Sequence, residues 1–344
     1  WTDCPPPGNN DCSLREAIEV ANWNGAPGDT IVFDYALTMA TITLDPNLGG
    51  LWIGGDPGTK IDVNVSGLII DANGITYPLS LNSANITIKG YPAQQETWIT
   101  NAGAGGAAIV INPGADNATI DRIRVYDNRG DGIFIGAVTG TKIQNFSLVQ
   151  QNAGTGIYVN GSFTTISDSD VHFNGNNGII VSAGVSGTRI IRSSSIDNAG
   201  VGIYSRSPIE VINSEINNND GGIYLDVGAD GSNISDSQIL NQTTFGGIYL
   251  DGVSNIDILN NRITHNQAEG IVVHNSRFVR IENSVILHNG KNGLSSGVFI
   301  VGTSSGITIR ANTIEDSGGN GVTVQEDFGT GNAPTNINIR QNTI

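Results

Sequence analysis

Apolar residues in this chain come in short alternating bursts set off by glycine, asparagine and serine, and the bursts return at a steady interval. One burst is a glycine followed by alternating apolar positions. It stands at Gly132-Ile133-Phe134-Ile135, Gly156-Ile157-Tyr158-Val159, Gly178-Ile179-Ile180-Val181 and Gly202-Ile203-Tyr204-Ser205. It returns at Gly222-Ile223-Tyr224-Leu225, Gly247-Ile248-Tyr249-Leu250, Gly270-Ile271-Val272-Val273, Gly297-Val298-Phe299-Ile300 and Gly321-Val322-Thr323-Val324. Successive glycines are 24, 22, 24, 20, 25, 23, 27 and 24 residues apart. A second burst interleaves with the first: an apolar residue, four positions, then another. Its pairs include Ile120/Val125, Ile143/Leu148, Ile166/Val171, Ile191/Ile196, Val211/Ile216, Ile234/Ile239, Ile258/Ile263, Ile281/Ile286 and Ile309/Ile314. Small polar residues such as Ser169, Ser194, Ser214, Ser237, Asn261 and Ser284 lie between the members. An asparagine commonly stands four residues before the next glycine, as at Asn128, Asn152, Asn174, Asn198, Asn218 and Asn266.

Each unit therefore predicts two or three strands of four to five residues, rich in β-branched side chains and broken by Asn and Gly. Strands this short cannot bury an apolar face alone. Stacking successive units at the ~4.8 Å strand spacing buries isoleucine on isoleucine in continuous ladders. Asn, Ser and Gly suit the bends between strands. The predicted fold is all-β: a parallel β-helix of about 24 residues per coil, right-handed by the usual hand of parallel crossovers. In-phase copies over this length argue against a β-sandwich. The pattern resembles the right-handed parallel β-helix repeats of the pectate-lyase-like superfamily over residues 105–344. Residues 29–104 read as less regular coils, among them Ile31-Val32-Phe33 and Leu68-Ile69-Ile70.

Residues 1–28 predict a cap. Ser13 followed by Glu16 forms a capping box, and Leu14, Ala17, Ile18 and Ala21 share one helical face. Gly25, Pro27 and Gly28 end the helix. A short amphipathic helix here would cover the first coil's open edge. Cys4 and Cys12 lie in one short loop that can bring them together, as a disulfide in an oxidising compartment or as two thiols. The run Cys12-Ser13-Leu14-Arg15-Glu16-Ala17-Ile18, with Ala21-Asn22 and Pro27-Gly28-Asp29, is similar to the CSLREA domain that opens many bacterial secreted and cell-surface β-helix proteins. The resemblance implies export, a Cys4–Cys12 bridge and a surface role. The strand that usually precedes the first cysteine is represented here by Trp1-Thr2-Asp3 alone. At the other end no closing cap follows Thr343-Ile344. An uncapped coil is a template for another chain, so end-to-end or side-to-side self-association is expected.

Charge narrows the partners. The 344 residues carry 16 Lys and Arg against 32 Asp and Glu, a net charge of −16. Nucleic acid and anionic lipid surfaces need clustered cations, so neither is an expected partner. No run reaches the ~20 apolar residues of a membrane-spanning helix. No Cys/His cluster suggests zinc.

The alternation assigns candidate chemistry. In each Gly-Ile-Tyr-Leu-Asp strand, Ile and Leu point inward while Tyr and Asp point outward. One outward column holds Phe134, Tyr158, Tyr204, Tyr224, Tyr249 and Phe299, an exposed aromatic stripe for glycan or protein contact. Two residues on, Arg206, Asp226, Asp251 and His274 fall on consecutive coils. Two adjacent carboxylates can share a calcium ion or serve sugar hydrolysis as acid and nucleophile. His274 suits acid–base work near neutral pH, and Arg206 suits a uronate carboxylate. The plain alternative is a solvated face of surface ion pairs. The Asn-Thr-Asp, Asp-Asp and Gly-His-Gly motifs of β-helix polysaccharide hydrolases are lacking. The chain is expected to be an exported cell-surface or extracellular structural β-helix, of the kind that builds a filament or sheath. The alternatives are a polysaccharide-active enzyme at the Asp226–Asp251 column, and a non-catalytic glycan-binding or adhesin module.

Overall fold

The computed structural model describes residues 12–92, 97–291, 293, 295–327 and 331–344. The chain is a parallel β-solenoid of about 12 turns, roughly 24 residues each, with one short α-helix near its start. Each turn supplies one strand to each of three sheets, here A, B and C in chain order. Two compact units divide at Ser169 and Asp170. In the first, sheet A runs from Thr30–Val32 to Thr165–Ser167, sheet B from Thr41–Thr43 to Leu148–Gln150, and sheet C from Leu51–Ile53 to Ile157–Val159. In the second, sheet A runs from Thr188–Ile191 to Thr335–Arg340, sheet B from Asp170–His172 to Thr313–Glu315, and sheet C from Ile179–Val181 to Val322–Gln325.

Helix α1 (Leu14–Trp23) forms as the capping box predicts. Ser13 Oγ accepts from the Glu16 amide at 3.2 Å, and Glu16 returns a carboxylate oxygen to the Ser13 amide at 2.8 Å. Leu14, Ala17, Ile18 and Ala21 are buried. Arg15 forks onto the carbonyls of Gly49 and Gly50, at 2.6 and 3.1 Å. Asn22 donates to Trp52 O and accepts from Gly54 N, so the helix is bonded to the third strand of the first coil as well as packed on it. The expected Cys4–Cys12 pairing lies outside the described residues.

Inside each unit the ladders are isoleucine on isoleucine. Ile203, Ile223, Ile248 and Ile271 align in sheet C, and each is at most 1% exposed. Between the sheets, polar ladders satisfy backbone donors that the corners leave unpaired. At the A–B corner Ser193 N donates to Ser214 Oγ, Ser214 N to Ser237 Oγ, and Ser237 N to Asn261 Oδ1. At the B–C corner Asn198 donates its side-chain amide to Asn219 Oδ1 at 2.9 Å, and Asn266 does the same to Asn289. Exposed or half-buried corner residues beside these ladders take the left-handed conformation. Asn213, Asp236, Asn260 and Asn283 do so at one corner, and Asp197, Asn218, Asn241, His265 and His288 at the next. Asn and Asp tolerate that region best among residues with a Cβ.

Four details differ from the sequence reading. Ile190 and Ser195 take the inward positions expected of Ile191 and Ile196. Val149, not Leu148, faces the core opposite Val125. In each place two candidate residues adjoin, and a one-residue slip exchanges core for solvent. Ser195 survives in the core because it donates to Gly202 O at 2.8 Å and accepts from Asn198. The slip also puts Ser193, not Ser194, in the serine ladder. The third difference is that Asn219, fully buried, carries the asparagine ladder while Asn218 is exposed. Ladder residues lie three positions after the inward residue of sheet B, whereas their distance to the following glycine varies. Lastly, those glycines before sheet C answer close approach. A Cβ on Gly247 would sit 2.7 Å from Ile263 and 2.8 Å from the Asn266 amide.

Candidate functional site

The expected column is present on the outer face of sheet C in the second unit. Register places Tyr204 beside Tyr224, Tyr224 beside Tyr249, and Asp251 beside His274. Alternation turns these side chains outward because Ile223, Leu225, Ile248 and Leu250 fill the interior. The three tyrosine rings stack coil on coil, with centroids 5.4 and 5.0 Å apart and interplanar angles of 9° and 26°. His274 adjoins the last ring at 6.4 Å. In the first unit Phe134 and Tyr158 stack in the same way at 5.4 Å. Phe299 aligns with Val272 rather than with an aromatic ring.

The stripe is therefore half-buried where full exposure was expected. Tyr224 spends both faces on neighbouring tyrosine rings, and Tyr204 and Tyr249 spend one each. Two of the tyrosine hydroxyls are tied to the carboxylates one coil on. Tyr204 donates to Asp226 Oδ2 at 2.6 Å, and Tyr224 donates to Asp251 Oδ2 at 3.2 Å. Arg206 Nε lies 3.6 Å from Asp226 Oδ2, and the Val227 amide donates to Asp226 Oδ1. His274 Nδ1 lies 2.8 Å from Asp251 Oδ1, while its Nε2 meets the Asn275 side-chain amide at 2.9 Å. An amide NH2 can only donate, so Nε2 accepts and Nδ1 carries the proton. Every oxygen of the two carboxyl groups thus takes a bond from the protein.

Electrostatics keep the phenols protonated. Burial, the bond to Asp226 and that carboxylate's charge push Tyr204 up to about 12. Burial and the Asp251 charge raise Tyr224 and Tyr249 too. None of the three is a ready base. Arg206 is the most available member, with its side chain 53% exposed against 25–31% for Asp226, Asp251 and His274. A calcium ion at Asp226 and Asp251 would have to compete with Arg206 and His274. Among the described residues, no three His, Cys, Asp or Glu side chains converge as a metal site.

Two features escaped the sequence reading. On sheet B, His172 Nε2 lies 2.7 Å from Ser194 Oγ, which donates to Asp170 Oδ1 at 2.5 Å. Burial lowers the His172 pKa against the pull of Asp170. The misplaced serine register hid this cluster. The second feature is an open groove of about 600 Å3 at the B–C corner, lined by Asp197, Asn217, Asn218, Asn241, Gln267 and Lys291 among others. Its Asn218 and Asn241 fall at the exposed corner position, which read only as a turn.

A family model described as "Right handed beta helix region" matches residues 107–241, 155–314 and 210–344. No curated protein sequence matches the chain. Among solved structures, the A-module of mannuronan C-5 epimerase AlgE4 from Azotobacter vinelandii aligns over 96% of this chain and 91% of its own, at 17% identity and a TM-score of 0.59. The catalytic unit of a GH87 α-1,3-glucanase from Streptomyces thermodiastaticus aligns over 94% of this chain and 64% of its own, at 11% identity and a TM-score of 0.70. The Dettilon tailspike protein aligns over 92% and 66%, at 13% identity and a TM-score of 0.58. These likenesses show the shared fold.

Proposed function

Because this chain belongs to the right-handed β-helix region family, we propose that it is an exported or cell-surface β-helix that binds polysaccharide along the outer face of sheet C. One observation carries the reading. Arg206, Asp226, Asp251 and His274 stand in fixed register on consecutive coils, braced by stacked tyrosines. Such a row presents hydrogen-bonding groups at the ~4.8 Å coil repeat, which suits a hydroxyl-rich chain lying along it. Arg206 adds a cation for a uronate carboxylate. Structural neighbours whose names place them on mannuronan and α-1,3-glucan support a glycan partner. The Cys12–Ile18 run, similar to the CSLREA domain, supports export. Binding is favoured over catalysis because both carboxylates and both His274 nitrogens are engaged within the protein. End-to-end assembly is a separate expectation that this reading does not need.

The test is retention on a panel of immobilised neutral and acidic polysaccharides, with the products of long incubation followed by chromatography. The expected outcome is binding without turnover, weakened about tenfold or more in Asp226→Asn/Asp251→Asn, as for loss of charge-assisted hydrogen bonds. A parent protein retained by no glycan sinks the reading.

A further inference from the structure

The groove at the B–C corner of the second unit is built from side chains that sheet C does not use. Its lining residues come from five successive coils: Asp197; Asn217 with Asn218; Asn241 with Thr243; Gln267; and Lys291. Four coil steps span about 19 Å at the usual strand spacing. The carboxamides are oriented. Asn218 donates its side-chain NH2 to Asp197 Oδ1, and Asn241 donates its own to Asn217 Oδ1 at 3.1 Å. Asn217 in turn donates to Glu215 at 2.9 Å. Asn218 and Asn241 are thus held by their nitrogens. Among the described residues, Asn218 Oδ1, Asn241 Oδ1 and both ends of the Gln267 amide have no partner. Lys291, at the far end, has no anionic partner there either.

We propose that this groove is an oligosaccharide subsite, with Lys291 taking an anionic sugar at one end. The choice of a glycan rests on the polysaccharide reading above, while the site and its polarity are independent of sheet C. Two fixed acceptors one coil apart, Asn218 Oδ1 and Asn241 Oδ1, call for a ligand that repeats donors along its length, and sugar hydroxyls do so at a rise close to the coil spacing. The Asn218 and Asn241 amides are already held, so little of their side-chain freedom is lost on binding. A protein partner would want aromatic or aliphatic anchors, and this lining offers carboxamides instead. A nucleic acid would want clustered cations, and the lining supplies one lysine, with Asp197 at the opposite end.

Isotope-labelled full-length chain titrated with hexagalacturonate, and separately with cellohexaose, tests the subsite by NMR. The side-chain amide signals of Asn218, Asn241 and Gln267 report the groove. The backbone signals of Tyr224 and Asp251 report sheet C. Both hexamers are expected to shift the groove signals, hexagalacturonate with the higher affinity. Lys291→Gln is expected to lower hexagalacturonate affinity about tenfold and to leave cellohexaose unchanged. Asn218→Gly/Asn241→Gly, which keeps the left-handed corners relaxed, is expected to weaken both. Thermal melting of each variant checks that it is folded. Shifts confined to Tyr224 and Asp251 would overturn the subsite and leave sheet C binding intact. Shifts confined to the groove would do the reverse. Parent chain that binds neither hexamer at millimolar concentration, or groove variants that bind as the parent does, also overturns it.

Discussion

At the scale of single residues, the chain depends on side chains whose chemistry is set by the coil above or below. Tyr204 is the clearest example, since burial, its bond to Asp226 and that charge raise its phenol to about 12. Below the unfolded value of 10 the phenol is protonated whether or not the chain is folded. Above it, only the unfolded chain readily gives up the proton, so the unfolded state binds fewer protons and stability falls with pH. The contribution is complete below pH 10 and is lost as pH rises through about 12. Titration of phenolate absorbance is expected to find one tyrosine at that raised value. In Asp226→Asn it is expected to move back toward 10, and an unchanged titration would break the assignment of the Tyr204–Asp226 bond. This level was the least legible in the sequence. The outward direction of Tyr204 and Asp226 followed from alternation alone. That the rings would stack face to face depends on χ angles that no spacing reveals.

At the scale of elements, the strands and their period were legible because isoleucine recurs wherever the interior needs it. The ladders were harder. Asn218 and Asn219 adjoin, and only the distance from the inward Ile216 separates the buried amide from the exposed one. The same ambiguity let Ile191 and Ile196 stand in for Ile190 and Ser195. Composition could not resolve it, because Ser195 is a polar residue in a core position, satisfied by Gly202 O and the Asn198 amide. The ladder assignment has a direct test. Asn219 accepts from both the Asn198 backbone and its side chain and donates to Ser195 O at 2.8 Å. Truncation to alanine strands buried donors and an acceptor, each worth about 1–3 kcal/mol. Asn219→Ala is therefore expected to destabilise by at least ~2 kcal/mol in chemical denaturation. Asn218→Gly, at an exposed left-handed corner, is expected to change stability by under about 0.5 kcal/mol. Equal effects would mean that the ladder runs elsewhere.

At the scale of the whole molecule, each coil contacts only its neighbours, so stability is a sum of local terms and opening begins where a coil lacks cover. The first coil has cover. Helix α1 lays Leu14, Ala17, Ile18 and Ala21 against it, and Arg15 and Asn22 bind its third strand through backbone groups. Val324 and Ile339 are 45% and 41% exposed, whereas their register partners Ile300 and Ile309 are fully buried. With these residues exposed as they are, amide hydrogen exchange is expected to be faster at Val322–Gln325 and Thr335–Arg340 than through the strands that hold Ile223 and Ile248. Arg15→Ala/Asn22→Ala removes five hydrogen bonds to the first coil without touching an interior ladder. Exchange at Thr30–Val32 and Leu51–Ile53 should then rise at least tenfold, since more than ~1.4 kcal/mol of local stability is lost. Exchange at Gly221–Leu225 should stay as it was. A change that spread evenly over both regions would mean that the chain unfolds as one cooperative block. Nearest-neighbour stacking would then fail as a description of its energetics, even with every strand in the register seen here.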